Sequence, residues 1–297
     1  MEPERLLAPG DSGGSLPKPG DFASLEDCKG VAPLGMRCVP GGVFLLGDAR
    51  PSWPLEVAPL PERLVRVSPF FLDDDEVKVG TVRLLVAQGK LSLEPQKATQ
   101  KGTSFDACTY RGDSDSSQDS LPLNCIPRTL AEEACLARGA RLPTEAEWEW
   151  AAGNTDRETS YPWGETEPTC DMLVAGRARY AGEGFVVPGA STQCRETFAA
   201  GPVADAPTAD TTELGIKALG GSLEEWTSDA FASYSSECWQ GQAPLADPHC
   251  TTGVGVSVRG GAWDVPLFRA RGSARESVPG ASGATANVGF RCALDAK

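Results

Sequence analysis

The distribution of apolar residues along the chain predicts short strands and short helices separated by polar, turn-rich segments. Residues 43–46 form an apolar run between glycine turns, which predicts a strand. Residues 64–72 first alternate and then become continuously apolar, which predicts a second strand. Residues 76–89 carry apolar side chains at helical spacing, and Gly89 is a suitable stop signal.

Two further helices are predicted from their start signals. Thr129 with Glu132, and Thr144 with Glu147, both have the spacing of a capping box. In such a box the Thr hydroxyl accepts from a free N–H of the first turn, and the Glu carboxylate reaches back to the cap. The first of these helices is expected to end at Gly139.

Long polar stretches separate these elements. Residues 91–124 are predicted to form a surface loop tied at its base by Cys108 and Cys125. Beyond residue 154 the chain is rich in turns, and its clearest apolar stretches are 173–180, 222–229, 256–263 and 287–294.

Residues 1–25 are predicted to be a flexible tail, and residues 26–297 a single domain. The tail is rich in Gly, Pro and Ser and shows no apolar periodicity. It has neither the basic start nor the apolar run of a signal peptide. One interpretation is a segment left after a signal or lipid-anchor region was trimmed. The other is a natural cytosolic start.

Composition narrows the possible partners. The chain has 33 Gly and 24 Pro, which argues against long helical bundles. Its net charge of −14 makes nucleic acid an unfavourable partner. No run reaches the roughly 18–20 apolar residues that a membrane-spanning helix needs, so no transmembrane segment is expected.

A single histidine, His249, limits the chemistry. Any Ser-His-Asp or Cys-His nucleophilic site would have to use it. Sites built from two or three histidines are excluded within this chain. The fingerprints of nucleotide-binding loops are absent as well.

The ten cysteines indicate a disulfide framework. No two have C-x-x-C spacing, and their even number and wide scatter are typical of an oxidising compartment. Neighbouring cysteines suggest four bridges that leave Cys135 and Cys292 for a long-range bridge: Cys28–Cys38, Cys108–Cys125, Cys170–Cys194 and Cys238–Cys250. The alternative is buried free thiols in a cytosolic protein.

Five segments, in order, resemble the formylglycine-generating enzyme, or sulfatase-modifying factor, family. The resemblance implies one disulfide-rich α+β domain of the C-type-lectin-like type with little regular secondary structure. It also implies the bridge Cys135–Cys292, because family members often link the corresponding positions. The segments that carry it are VPGGVFLLGD (39–48), FFLDDDEV (70–77), ARGARLPTEAEWEWAAG with YPWG (137–164), LGIKALGGSLEEWTSD (214–229) and VRGGAW…ARGSAR…VGFRCA (258–293).

The catalytic chemistry of that family does not carry over. Its formylglycine-generating members oxidise a substrate cysteine with copper and O₂, and two cysteines between the RGG and GFR segments hold the metal. Here residues 259–291 contain no cysteine, and Val265 with Leu267 or Phe268 stands near the thiolate positions. An iron-dependent branch uses histidines of an added helical domain, which this chain lacks. We therefore predict a non-catalytic member.

A calcium site is the one cofactor for which the resemblance leaves room. The family usually has Asn where Ser222 stands, and a hydroxyl is a poorer calcium ligand than an amide oxygen. Asp171 remains as a candidate carboxylate ligand, and the alternative is that it caps a turn.

The predicted binding surface lies between Trp263 and Asn287, with help from residues 231–250. Its residues are Trp239, Trp263, Asp264, Phe268, Arg269 and Asn287. For three groups of charged residues two interpretations stay open. Asp73–Asp75 form a cation site or a solvated acidic turn. Arg269, Arg271 and Arg275 hold an anionic ligand, or pair with surface acids and loop carbonyls. Glu224 and Glu225 form an acid/base pair, or face opposite sides of a strand.

The leading functional hypothesis is a non-catalytic, extracytoplasmic binding or assembly module with a protein or peptide partner. A special case is a retroelement-diversified binder, which varies the residues before the final GFR. The first alternative is an oxidoreductase-type member, or a partner subunit of an active formylglycine-generating enzyme acting on a protein cysteine. The second is a structural lipoprotein subunit of an envelope complex, anchored upstream of residue 1.

Overall fold

The computed structural model describes residues 25–49, 59–98, 107–177, 191, 193–194, 204–279 and 285–296. Residues 1–24 of the predicted tail lie outside these ranges. The helices are α1 (Val79–Ala87), α2 (Arg128–Ala137) and α3 (Glu145–Ala152). The strands are β1 (Met36–Val39), β2 (Gly42–Leu46), β3 (Arg63–Val67), β4 (Phe70–Asp73), β5 (Glu224–Ala230), β6 (Leu245–Ala246), β7 (Val256–Arg259), β8 (Arg275–Val278), β9 (Val288–Gly289) and β10 (Ala293–Asp295).

The strands form three small sheets, ordered β1-β4-β10, β2-β3-β6 and β8-β7-β5-β9. Strand β4 is the central strand of its sheet, antiparallel to both neighbours, and all four of its residues are buried. Strand β3 alternates buried and more exposed residues, as expected of a strand with one face on the core. The helices are separate from the strands along much of the chain, so the fold class is α+β, as predicted.

Two predicted elements have different bounds in the structure. The run 64–72 is divided into two strands, β3 and β4, which are separated by Ser68-Pro69. Strand β3 pairs with β2, whereas β4 pairs with β1 in a different sheet. Helix α2 has no capping box. Pro127 is its N-cap, with extended backbone, and Thr129 lies inside the first turn. Glu132 pairs instead with Arg128, at 3.3 Å.

Helix α3 begins as predicted. Thr144 accepts a hydrogen bond from the Glu147 N–H at 3.1 Å, and the Glu147 carboxylate accepts from the Thr144 N–H at 2.8 Å. The helix is buried on every side and packs against β2, β3, β5 and β7. It therefore lies at the centre of the domain and connects two of the sheets.

The predicted polar loop 91–124 is only partly a surface loop. Residues 99–106 lie outside the described residues, but Tyr110 and Leu123 are fully buried in the main hydrophobic cluster. The loop thus contributes core side chains from a stretch whose composition is polar.

All ten cysteines are paired, and the five bridges are those predicted: Cys28–Cys38, Cys108–Cys125, Cys135–Cys292, Cys170–Cys194 and Cys238–Cys250. The bridge from Cys135 ties α2 to the residue that precedes β10 and closes a separation of 157 residues. Within the described ranges, no helix has the length and apolarity that would let it cross a membrane.

Candidate functional site

The candidate site lies where β7 runs into a loop, Gly260 to Ala270, that corresponds to the segment after RGG. Gly260 has φ +84°, and a Cβ there would lie 2.8 Å from the Leu219 carbonyl and 3.0 Å from the Trp148 ring. A Cβ on Gly261 would lie 2.5 Å from the Gly220 carbonyl. Only glycines allow this close approach of two backbone segments, so the start of the loop is tightly fixed.

Two short stretches of chain, residues 176–177 and 193–194, hold the loop through hydrogen bonds. The Arg177 N–H donates to the Trp263 carbonyl at 2.7 Å, and the Gly176 N–H donates to the Val265 carbonyl at 2.8 Å. The Leu267 N–H donates to the side-chain oxygen of Gln193 at 3.2 Å. Because Cys194 is bridged to Cys170, the second of these stretches is itself anchored. The sequence did not reveal the contribution of Arg177 and Gln193 to this site. The spacing of Cys170 and Cys194 was the only signal that the chain near Gln193 is anchored.

Three of the predicted surface residues are inside the molecule. Trp239 is fully buried and packs edge-on against Tyr234, with ring centroids 5.1 Å apart. Trp263 is buried, and its ring N–H donates to the Ala286 carbonyl at 3.0 Å. Arg269 is buried as well. These three side chains pack inside the protein and do not present a face to a partner.

The remaining surface residues lie at the boundary with solvent. Phe268 is 38% exposed, whereas Asp264 and Asn287 are half-buried. Burial raises the pKa of Asp264 to about 6, although a hydrogen bond from Asn287 acts in the opposite direction. The part of the predicted surface that a partner can reach is therefore centred on Phe268.

The three arginines considered for an anionic ligand are buried and bound within the protein. Arg269 pairs with Glu224 at 3.1 Å and with Glu276 at 2.9 Å. Arg275 makes a bidentate pair with Glu145, at 3.0 and 2.8 Å. Arg271 lies over the Tyr161 ring, 5.0 Å from its centroid. The alternative of pairing was correct for Arg269 and Arg275, and two of the three acids, Glu224 and Glu145, are buried, whereas Glu276 is exposed.

Glu224 and Glu225 face opposite sides of β5, so they do not form an acid/base pair. Glu224 binds Arg269, and burial raises its pKa to about 7. Glu225 is fully buried and receives the guanidinium of Arg291. The Trp148 ring N–H also donates to Glu225, at 2.7 Å. Both carboxylates thus have structural partners.

Asp73–Asp75 form neither a cation site nor a simple solvated turn. Asp73 is buried and takes both terminal nitrogens of Arg138 at 2.7 Å. Asp74 and Asp75 each pair with a neighbouring cation, Arg37 and Lys78, at 3.1 Å.

The two positions considered for calcium differ in their surroundings. Asp171 is exposed and accepts from the Thr169 hydroxyl at 2.6 Å, which lowers the pKa of the carboxyl. Ser222 is buried, and its hydroxyl donates to Glu76 at 2.9 Å. Burial, together with the nearby Glu225 carboxylate, raises the pKa of Glu76 to about 8. Calcium at Asp171 stays a prediction.

Soft metal ligands are missing from the loop. Neither the loop nor the chain that follows it up to Arg291 contains cysteine or histidine, and all ten cysteines are in disulfides. His249 is exposed, and its Nε2 lies 3.0 Å from the Ser228 carbonyl. The side chains present offer carboxylate, amide and apolar groups, so the loop can bind a partner or a hard cation but cannot hold Cu(I) by thiolates.

Comparison with protein families matches residues 25–296 to the Sulfatase-modifying factor enzyme 1-like domain. This chain belongs to the sulfatase-modifying factor family. A relative named formylglycine-generating enzyme, from Streptomyces coelicolor, is 27% identical over 94% of this chain and 93% of its own length. Another of that name, from Thermomonospora curvata, is 27% identical over 88% of this chain and 93% of its own.

Solved structures agree with the family's fold. PvdO from Pseudomonas aeruginosa superposes with a TM-score of 0.59 at 20% identity, covering 94% of this chain and 100% of that one. Treponema denticola variable protein 1 has a TM-score of 0.55 at 16% identity, covering 88% and 94%. These likenesses support the fold alone. The expected α+β fold, of the C-type-lectin-like type that the sulfatase-modifying factor family has, is confirmed.

Proposed function

We propose that this member of the sulfatase-modifying factor family is a non-catalytic, extracytoplasmic binding or assembly module. The observation that carries the proposal is the absence of sulfur between Arg259 and Arg291, where catalytic members hold copper with two thiolates. Val265, Leu267 and Phe268 stand near those positions, and their side chains cannot donate electrons to a metal.

The rest of the chain offers no replacement for the missing thiolates. Every cysteine is bridged, so none is free to enter the loop while the protein is oxidised. Met172 packs in the same apolar cluster as Leu267, but one thioether does not make a two-thiolate site. The residues of this loop therefore do not fit copper.

The loop is also held in a way that suits recognition better than turnover. Its carbonyls at Trp263 and Val265 accept hydrogen bonds from the N–H groups of Arg177 and Gly176, and Arg269 is neutralised by the buried Glu224. A loop fixed on a bridged scaffold can present a constant surface, here around Phe268, at low cost in conformational entropy.

The extracytoplasmic location is supported by the five disulfides, since such bridges persist in oxidising compartments. A protein or peptide partner is favoured over nucleic acid by the net charge of −14. A structural lipoprotein role is compatible with the same observations and would differ only in an anchor.

A catalytic role is the alternative that the names of the relatives favour. Two relatives called formylglycine-generating enzyme match nearly the whole chain. If this protein shared that activity, it would need a Cu(I) site that its sequence does not supply.

Copper affinity therefore tests the proposal. The oxidised protein is titrated into Cu(I) held by a chromophoric chelator, with the Streptomyces coelicolor relative as the positive control. We expect the relative to remove copper from the chelator and this protein to leave the absorbance unchanged. A fully reduced sample, with ten free thiols, should remove copper and so show that the assay detects thiolates. Stoichiometric copper uptake by the oxidised protein would overturn the proposal.

A further inference from the structure

A second surface feature shares no lining residue with the loop around Phe268. It is a cavity of about 710 Å³ between helix α2, the β3–β4 turn and the C-terminal strand β10. We call it the acidic groove, and the titratable side chains that line it are those of Glu132, Arg141, Glu147, Asp247, His249 and Asp295. Its volume is within the range of roughly 300–1,000 Å³ of ligand pockets.

The groove has an apolar lining with one strongly exposed residue. Val67, Pro69, Leu142 and Ala296 contribute apolar surface. Leu136 on α2 is 68% exposed at its edge. A leucine at this exposure, beside a cavity, is available to pack against an apolar side chain of a partner.

The charges around the groove are predominantly negative. Four carboxylates line it, from Glu132, Glu147, Asp247 and Asp295, against the single guanidinium of Arg141. Arg141 binds both Glu147, at 2.6 and 2.7 Å, and Asp295, at 2.7 Å. Even if Arg128 is counted, because it pairs with Glu132 at 3.3 Å, carboxylates outnumber cations.

These carboxylates are held in place by the fold. Both oxygens of Asp247 accept from Ser68, one from the backbone N–H at 2.6 Å and one from the hydroxyl at 2.7 Å. Asp295 is fixed by Arg141, and its side chain remains 59% exposed. A cation that enters the groove meets oriented acceptors and causes little loss of side-chain entropy.

We propose that the acidic groove binds a basic peptide segment of a partner protein, with an apolar side chain of that segment seated beside Leu136. Charge complementarity selects this occupant. A second copy of this chain, nucleic acid and an anionic membrane would all bring negative charge to a protein of net charge −14. The proposal goes beyond the non-catalytic role, because it holds whether or not the protein binds copper.

The test is a selection from a random nine-residue peptide library, followed by affinity measurements on groove variants of the intact protein. Leu136→Ser removes the apolar anchor, and Asp295→Lys reverses an exposed charge. Each has a matched control outside the groove. Leu84→Ser changes a leucine of α1 that is 52% exposed, and Glu94→Lys changes a carboxylate that is 54% exposed.

We expect the selected peptides to be rich in Lys or Arg around one apolar residue. Both groove variants should weaken their binding by about fivefold or more, both controls should leave it unchanged, and added salt should weaken it. Acidic or uncharged peptides, or peptides unaffected by the groove variants, would overturn the proposal. If spermine displaced the bound peptide at the same concentration that the unlabelled peptide requires, the groove would be a site for small polycations and the proposal would be overturned too. So would a dimer that disappears in Leu136→Ser, because a second copy would then occupy the groove.

Discussion

Replacing Arg291 by Met should remove a fully buried ion pair that this fold uses to join its sheets. The Arg291 guanidinium is fully buried, and its nitrogens donate to Glu225 at 2.7–2.9 Å. They also donate to the carbonyls of Asp73, at 3.0 Å, and Lys217, at 2.8 Å. Met preserves the length of the side chain but none of these donors.

The expected loss is large because it leaves the buried Glu225 carboxylate with only the Trp148 ring N–H as a donor and takes the guanidinium away from the carbonyls of Asp73 and Lys217. Breaking one side of a buried ion pair costs about 3–5 kcal/mol. For a domain of this size that corresponds to a drop in melting temperature of roughly 6–20 °C. Arg157→Met is the matched control, since Arg157 and Glu213 are paired but both more than half exposed. Its loss should be about 0–1 kcal/mol.

The assay is equilibrium denaturation of the oxidised proteins, with the melting temperature as a second measure. Arg291→Lys should fall between wild type and Arg291→Met, because an ammonium keeps the charge opposite Glu225 but cannot reach all the acceptors. If Arg291→Met and Arg157→Met lost the same unfolding free energy, the assignment of a structural role to the buried pair would be refuted.

Three other changes test separate parts of the structure. Thr144→Ala should lower the unfolding free energy by about 1 kcal/mol because the capping box of α3 is lost. Thr129→Ala should have little effect, because Thr129 lies inside the first turn of α2 and caps nothing. Equal losses of unfolding free energy in the two variants would contradict the two helix starts. Glu76→Gln should reduce the pH dependence of stability. Because burial raises the pKa of Glu76 from 4.5 to about 8, the unfolded chain ionises first, and wild type loses stability as the pH rises from about 4.5 to about 8. Melting curves at pH 5 and pH 8 check this, and an unchanged pH slope in the variant would count against it. The double change Cys135→Ala and Cys292→Ala should cost about 5 kcal/mol, because the bridge closes a separation of 157 residues; a melting temperature within a few degrees of wild type would contradict it.

Local signals in the sequence predicted those elements whose cause is also local. The capping box at Thr144 works because its partner Glu147 is three residues away. The same signal failed at Thr129 because Pro127 supplies an extended cap residue two positions earlier. Ser68-Pro69 divides a continuous apolar run between two sheets, and the pairing partners that decide this lie elsewhere in the chain.

The candidate site was less predictable because its arginines and tryptophans depend on distant partners. Arg275 binds Glu145, 130 residues away, and Arg291 binds Glu225, 66 residues away. Trp263 was assigned to the binding surface, yet it is buried and its ring N–H donates to the carbonyl of Ala286, 23 residues away. By contrast, the lack of sulfur in the loop is a property of the sequence alone, so it could be stated before the fold was known.

Turnover of a sulfatase-type cysteine peptide in the presence of Cu(I) and O₂ tests the central claim most directly. The oxidised protein and the Streptomyces coelicolor relative are incubated with the peptide, and mass spectrometry follows conversion of its cysteine to the aldehyde. We predict conversion by the relative, and none by this protein above a control with metal alone, because residues 259–291 contain no thiolate to hold the copper. Conversion above that control by this protein would contradict the non-catalytic account.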